Sequence, residues 1–369
     1  MNIAFVLLTH NPDEPAGIER SIASLADGLR ELGHRALIVA AGPAHPADDP
    51  DLLRLSSLAL PRPVQYDEVM RLLAEPAAVD REVRDLLTAH RVDLVCWVDA
   101  GAGLGFLNPA PPGVRTALMV HFLRTDDAMH ESLKHQPGVV LPVSDFLTGE
   151  AARAGLDTTG WQALPNALLH HSAPPTAEER ERLRRTGPVR TLSRADPQKG
   201  VAELLRAYPA EGLGRPVQIV LAAAGFEFWP GMQEQVISEC RALAAGLPDV
   251  EILPALPWQE VQPFLAGAAV TVMGSNAPET FGNVAAESLS VGTPVVGYGL
   301  GHLPVLTGGA GRMVELEQGP EGIWRALREL VDDPEAYHAA VGQAPRQVAD
   351  QTPVAVARAF LRAAAPDAV

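Results

Sequence analysis

Lysine is almost absent from this chain: of 369 residues, only Lys134 and Lys199 carry an ammonium side chain. Arginine is abundant, yet acids exceed bases, with 29 Lys and Arg against 45 Asp and Glu and a formal net charge of −16. That balance argues against a nucleic-acid partner, which needs a basic stripe to displace counterions from the phosphate backbone. Any phosphate bound here must be bound locally. Cysteine is limited to Cys96 and Cys240, far apart in apolar or helical contexts, so neither a disulfide framework nor a thiolate metal quartet is on offer. No uninterrupted apolar run reaches the length of a membrane-spanning helix, although 47% of the residues are hydrophobic. The opening Met1-Asn2-Ile3-Ala4-Phe5-Val6-Leu7-Leu8 lacks a basic lead and a small-residue cleavage site. It reads as a first strand rather than a leader, and the expectation is a cytoplasmic protein without stable membrane association.

What is present is two rounds of strand and helix. The length exceeds what one core usually organises, so two domains are expected. Ile3–Leu8 is a strand and Thr9–Ala16 a polar loop. Ile18, Ser21, Ile22, Leu25, Leu29 and Leu32 then recur at helical spacing, Gly33 stops that helix, and Ala36–Ala40 resumes as a strand. Further strands are expected at Asp93–Val98, Arg115–Val120 and Val139–Val143, giving a parallel sheet covered on both faces. From His170 to Gly187 the composition turns to a Pro-containing stretch and a charged run, Glu178–Arg185, read as a connector with a solvated helix. The pattern restarts at Val189–Ser193, Gln218–Ala222, Val250–Leu253, Val270–Met273 and Pro294–Val296. The expected division is thus an N-terminal Rossmann-like domain at 1–168, a linker at 169–187, a C-terminal Rossmann-like domain at 188–350, and a last helix within 351–369 that packs on either domain.

Two segments carry the chemistry. Pro278-Glu279-Thr280-Phe281-Gly282-Asn283-Val284-Ala285-Ala286-Glu287 follows a strand and opens a helix. The amides of a first helical turn and the helix dipole favour an anion there. Two carboxylates beside a phosphate are repulsive unless they bind hydroxyls, so Glu279 and Glu287 point to sugar or ribose. In the second segment, Ser193-Arg194-Ala195-Asp196-Pro197-Gln198-Lys199-Gly200, the fork of Arg194 and the point charge of Lys199 could neutralise a diphosphate and stabilise it as a leaving group. A retained lysine in a nearly lysine-free chain sharpens that reading, because ammonium and guanidinium are not interchangeable at a phosphate.

Together, Pro-Glu-Thr-Phe-Gly-Asn-x3-Glu and Arg-x4-Lys-Gly resemble the motifs of family 4 retaining glycosyltransferases. The resemblance implies an α/β fold of GT-B type, two doubly wound Rossmann-like domains facing across a cleft. It implies a metal-independent enzyme with no cofactor, taking a nucleoside-diphosphate sugar as donor and a small-molecule acceptor. By the same resemblance Glu279 contacts the donor sugar and Glu287 the ribose, and the backbone around Thr280, Phe281, Gly282 and Asn283 faces the sugar and distal phosphate. Gly17, in Pro15-Ala16-Gly17-Ile18-Glu19-Arg20, occupies a family turn near the donor phosphates, though Ala16 replaces a second glycine. His121, at a strand end, occupies the place of a histidine near the sugar. Gly299-Leu300-Gly301-His302 stands where the family has a Gly-Gly turn, while Pro165-Asn166-Ala167 departs from its Asn-Gly. An epimerase or phosphorylase on the same fold, and a non-catalytic sugar-nucleotide-binding protein, stay open as alternatives.

Other features read as structural. His10 follows the first strand, Asp49-Pro50-Asp51 resembles a metal-binding triplet but lies in a Pro-rich turn, and Asp126-Asp127 reads as a helix start that leaves an acceptor contact possible. Residues 1–165 hold 13 Lys and Arg against 22 Asp and Glu. An anionic membrane would repel that surface, so a soluble acceptor is expected, with an aminocyclitol or similar specialised metabolite fitting the charge.

Overall fold

The computed structural model describes residues 1–11, 16–42, 49–169 and 172–368. Its strands are β1 (Asn2–Thr9), β2 (Arg35–Ala41), β3 (Leu52–Arg54), β4 (Leu94–Val98), β5 (Arg115–Val120), β6 (Val139–Pro142), β7 (Val189–Arg194), β8 (Val217–Ala222), β9 (Val250–Leu253), β10 (Val270–Met273), β11 (Val295–Tyr298) and β12 (Gly311–Val314). The helices are α1 (Gly17–Glu31), α2 (Tyr66–Leu72), α3 (Ala77–Ala89), α4 (Asp127–Lys134), α5 (Asp145–Arg153), α6 (Ala177–Thr186), α7 (Val201–Arg206), α8 (Met232–Ala244), α9 (Trp258–Ala266), α10 (Asn283–Ser290), α11 (Leu303–Thr307), α12 (Gly319–Asp332), α13 (Pro334–Gln347) and α14 (Pro353–Ala364). Two compact units result, one containing the described residues up to Leu168 and from Asp350 onward, the other Leu169–Ala349. Residues 12–15, the segment 43–48, His170-His171 and Val369 lie outside the described residues, and with them Pro15 of the expected Gly17 turn.

Each unit is a six-stranded parallel sheet, ordered β3-β2-β1-β4-β5-β6 in the first and β12-β11-β10-β7-β8-β9 in the second. Read from its own first strand, each order is the same. Sequential strands run outward one way from β1 or β7 and then restart on the other side at β4 or β10. Loops from the neighbours β1 and β4, and from β7 and β10, therefore diverge and leave a crevice at the carboxyl ends of the strands. Two of the edge strands, β3 and β12, are not apparent in the sequence: Leu52-Leu53-Arg54 is too short to display a period, and Gly311-Arg312-Met313-Val314 opens on a glycine and an arginine rather than an apolar run.

In the first unit, α1 turns Ile22, Leu25, Ala26 and Leu29 onto the sheet. Helix α14 packs beside it through Val356, Ala357, Phe360 and Leu361, with the Phe360 ring 5.5 Å from that of Phe5. The approach is close enough that a Cβ on Gly28 would lie 2.1 Å from the Pro353 carbonyl oxygen. In the second unit, α6 is not the solvated helix of a connector. A capping box between Thr176 and Glu179 starts it, and Arg180, 1% exposed, donates to the carbonyls of Ala268 (2.9 Å) and Val291 (2.6 Å) and to Thr293 Oγ1 (2.7 Å). A charged run looked solvated because sequence does not show that buried carbonyls await one of its guanidiniums.

Candidate functional site

The second unit brings Arg194, Lys199 and Glu279 to its strand-order reversal. Arg194 ends β7, and the chain behind it is folded by Asp196, whose Oδ2 accepts from Arg194 Nη2 (3.1 Å) and whose Oδ1 accepts from the Gln198 amide (2.9 Å). Gly200 then takes a φ of 63°, and a Cβ there would lie 2.0 Å from the Gly274 carbonyl oxygen. Only glycine permits both the left-handed backbone and that approach. The loop is so pressed against the one leaving β10, and the Asn276 amide donates to the Gln198 carbonyl at 3.0 Å.

Across that seam Lys199 Nζ donates to Glu279 Oε1 at 2.6 Å, and Ser275 Oγ donates to the same oxygen at 2.5 Å. Burial alone would raise the Glu279 carboxyl, but Lys199, the Ser275 hydroxyl and the Arg194 charge outweigh it and hold the group below the usual carboxylate range. Glu279 stays ionised, and Lys199 is a poised cation with one carboxylate partner. The Glu279 backbone is fixed as well. It bridges Gly301, its carbonyl accepts from the His302 amide (2.8 Å), and a Cβ on Gly301 would lie 2.3 Å from that carbonyl oxygen.

Helix α10 begins at the next turn. Gly282, at φ 96°, precedes it and has no side chain to cap its first amides. Ser288 anchors it to the sheet by donating to Thr271 Oγ1 at 2.7 Å. Thr280 and Asn283 are half-buried beside its start, whereas Phe281 is buried with its ring stacked on the His302 imidazole, 5.8 Å between centroids. Glu287 lies one turn further in and is 2% exposed. Two cationic side chains, a helix N-terminus and two acids thus occupy adjoining loops and one helix of the same unit. Such a set can hold a diphosphate and hydroxyls together.

His121 and Gly17 belong to the first unit. His121 follows β5, is 2% exposed, and has its imidazole pushed down to about 4 by burial, with no hydrogen-bond partner for Nε2 among the described residues. Gly17 opens α1, whose buried Glu19 accepts from Thr9 Oγ1 (2.5 Å) and the Asn11 amide (2.7 Å). His10 is buried, and its carbonyl accepts from Arg54 Nη1 at 2.8 Å. Asp49 and Asp51 form exposed ion pairs with Arg30 (2.9 Å) and Arg35 (2.7 Å). Asp126 caps α4 by accepting from the Met129 amide (3.2 Å). Cys96 and Cys240 are buried thiols, both raised by burial. Among the described residues no group of three His, Cys, Asp or Glu side chains comes together that could hold a metal ion. Ser275 and the Asn276–Gln198 link had no signal beyond their place in a strand-to-helix turn.

These two sheets are the paired Rossmann-like halves of the GT-B glycosyltransferase fold. Over 98% of this chain and 97% of its own, sucrose-phosphate synthase from Thermosynechococcus elongatus superimposes with a TM-score of 0.75 at 17% identity. Anabaena HepE, solved in complex with UDP and glucose, does so over 98% of both chains with a TM-score of 0.73, also at 17% identity. The model of the family described as Glycosyl transferases group 1 matches residues 189–333, within the second unit. A curated relative, the D-inositol 3-phosphate glycosyltransferase of Streptomyces avermitilis, is 32% identical over 163 residues, 42% of this chain. The match spans 34% of that relative's length. Among the described residues no helix is long and apolar enough to cross a membrane.

Proposed function

We propose that this protein is a retaining, metal-independent glycosyltransferase that moves a sugar from a nucleoside-diphosphate sugar onto a small soluble acceptor in the cytoplasm. The observation that carries the reading is the 2.6 Å Lys199–Glu279 contact at the strand-order reversal of a group 1 unit, beside the start of α10. Lys199, Arg194 and the first amides of α10 stabilise the departing diphosphate, which is electrostatic catalysis by donors already in place. Glu279 holds donor-sugar hydroxyls and keeps Lys199 oriented until the phosphate arrives. Glu287 takes the ribose.

As the bond from the anomeric carbon to the phosphate oxygen breaks, the sugar develops oxocarbenium character. The acceptor hydroxyl bonds to the anomeric carbon on the face the diphosphate leaves, and its proton passes to a departing phosphate oxygen. No protein nucleophile is required. The balance of acids over bases in the first unit favours a specialised-metabolite acceptor bearing an amine. Incubation with nucleoside-diphosphate sugars and candidate acceptors, read by mass detection, tests the proposal. A glycosylated acceptor with the donor's anomeric configuration is expected, formed equally well with a chelator present. A free epimerised sugar nucleotide, or turnover that ignores the acceptor, would overturn it.

A further inference from the structure

The first unit has the same strand order as the second, with its reversal between β1 and β4. Asp99 is the residue that leaves β4 there, and the Leu8 amide donates to the Ala102 carbonyl at 2.6 Å, tying its loop to the end of β1. Three features of Asp99 work against stability at once. Its φ of 118° lies where side chains are strained. It is 1% exposed, and burial raises its carboxyl above the usual range although Arg124 at 3.9 Å and the Gly101 and Ala102 amides oppose this. Its Oδ2 has no hydrogen-bond partner among the described residues. Holding the loop explains Oδ1, which accepts from Gly101 (2.8 Å) and Ala102 (3.1 Å), but leaves Oδ2 unexplained.

The surroundings narrow what Oδ2 awaits. Arg124 leaves β5, lays its guanidinium over the Tyr66 ring at 4.1 Å, and pairs with Asp126. Tyr66 donates its hydroxyl to Asp126 Oδ2 at 3.0 Å. Packing fixes the group, since a Cβ on Gly101 would lie 3.0 Å from the Tyr66 hydroxyl and 3.3 Å from Arg124 Cζ. The guanidinium beside Asp99 therefore already faces two carboxylates. A phosphate needs a cation to spare, whereas this group attracts a hydrogen-bond donor and most of all an ammonium.

We propose that Asp99, supported by Arg124, Asp126 and Tyr66, is the acceptor-recognition site of the first unit, and that it selects an unphosphorylated, amine-bearing polyol whose donor group bonds to Asp99 Oδ2. This rests on the glycosyltransferase reading, and it departs from the phosphorylated inositol for which the curated relative is named.

The test is the melting temperature of the whole protein with 2-deoxystreptamine, myo-inositol or myo-inositol 3-phosphate, with UDP, GDP and dTDP as a separate arm for the second unit. The amine gives the largest rise among the three polyols and the phosphate the smallest. Asp99→Asn weakens the amine response about as far as a tenfold loss of affinity does while melting no lower than the unsubstituted protein, because asparagine keeps Oδ1, tolerates the left-handed backbone and removes a buried charge. Asp126→Asn, which keeps the cap on α4, weakens the amine response in parallel and serves if Asp99→Asn does not fold. A larger rise with the phosphate, an unchanged response in either folded variant, or no amine response while a nucleotide still stabilises would each overturn the proposal. Loss of every nucleotide response would instead count against the glycosyltransferase reading itself.

Discussion

The two units share a strand order and a point of reversal, yet they have filled that point with opposite chemistry. In the second unit Lys199 and Arg194 meet Glu279, and the cations outweigh burial to keep a carboxylate ionised. In the first, Asp99 and Asp126 share Arg124, and burial wins over the cation to raise Asp99. The same backbone device therefore presents an anion trap in one unit and a trap for donors in the other. Topology decides where a ligand goes, and a handful of charges decide which ligand.

The sharpest break in that comparison is kinetic. Lys199→Ala should lower kcat for transfer by roughly 10²–10³, the usual effect of removing one preorganised donor at a developing charge, and Glu279→Ala, which leaves Lys199 without its orienting carboxylate, should lower kcat as well. Asp99→Asn should instead raise the acceptor KM about tenfold with kcat nearly kept, as expected when one hydrogen bond to an ionised group is lost. Steady-state rates with donor and acceptor varied separately distinguish the two. If both substitutions moved the same parameter, the division of labour would be wrong.

Gly200→Ala comes next. Between the left-handed backbone and the Gly274 oxygen 2.0 Å from its new Cβ, a loss of about 2–4 kcal/mol in the second unit is expected. Denaturant unfolding checks it, and a neutral effect would show that the seam between the β7 and β10 loops is looser than described.

A smaller and more diagnostic contrast lies in pH. Glu279 is depressed in the folded protein, so its contribution is present above the ordinary carboxylate range and fades as pH falls through the lower folded value. Asp99 is raised, so it is least unfavourable in acid and increasingly so as pH rises through its folded value. Melting curves should show Glu279→Gln losing its deficit toward low pH, and Asp99→Asn gaining an advantage toward neutral pH. Parallel slopes would contradict the opposite settings of the two sites. The least effect belongs to Asp49→Ala and Asp51→Ala, whose exposed pairs with Arg30 and Arg35 should contribute within about 0.5 kcal/mol and leave transfer unchanged.

Much of the second site was legible in the sequence because it is local. Glu279 to Glu287 and Arg194 to Lys199 are each a strand end running into a helix, and residue type with spacing carries the chemistry. The meeting of Lys199 with Glu279, eighty positions apart, was not legible from spacing, since β7 and β10 become neighbours only through the strand order. The first site shows the harder case. Asp99 has only its place at a strand end to mark it, and Tyr66 at the start of α2 meets Arg124 and Asp126, from the loop between β5 and α4, only once the chain is folded. Nothing in a single sequence marks a strained backbone or an oxygen without a partner. The edge strand β3 was missed for want of length, β12 because it opens on Gly311-Arg312 rather than an apolar run, and buried Arg180 because a charged helix hides which of its charges turns inward.

The most direct test of the account is a crystal of the protein grown with a nucleoside diphosphate that raises its melting temperature. The account predicts the diphosphate against Lys199, Arg194 and the first amides of α10, with the ribose on Glu287. A diphosphate bound away from the β7 and β10 loops, with the Lys199–Glu279 pair undisturbed, would contradict it.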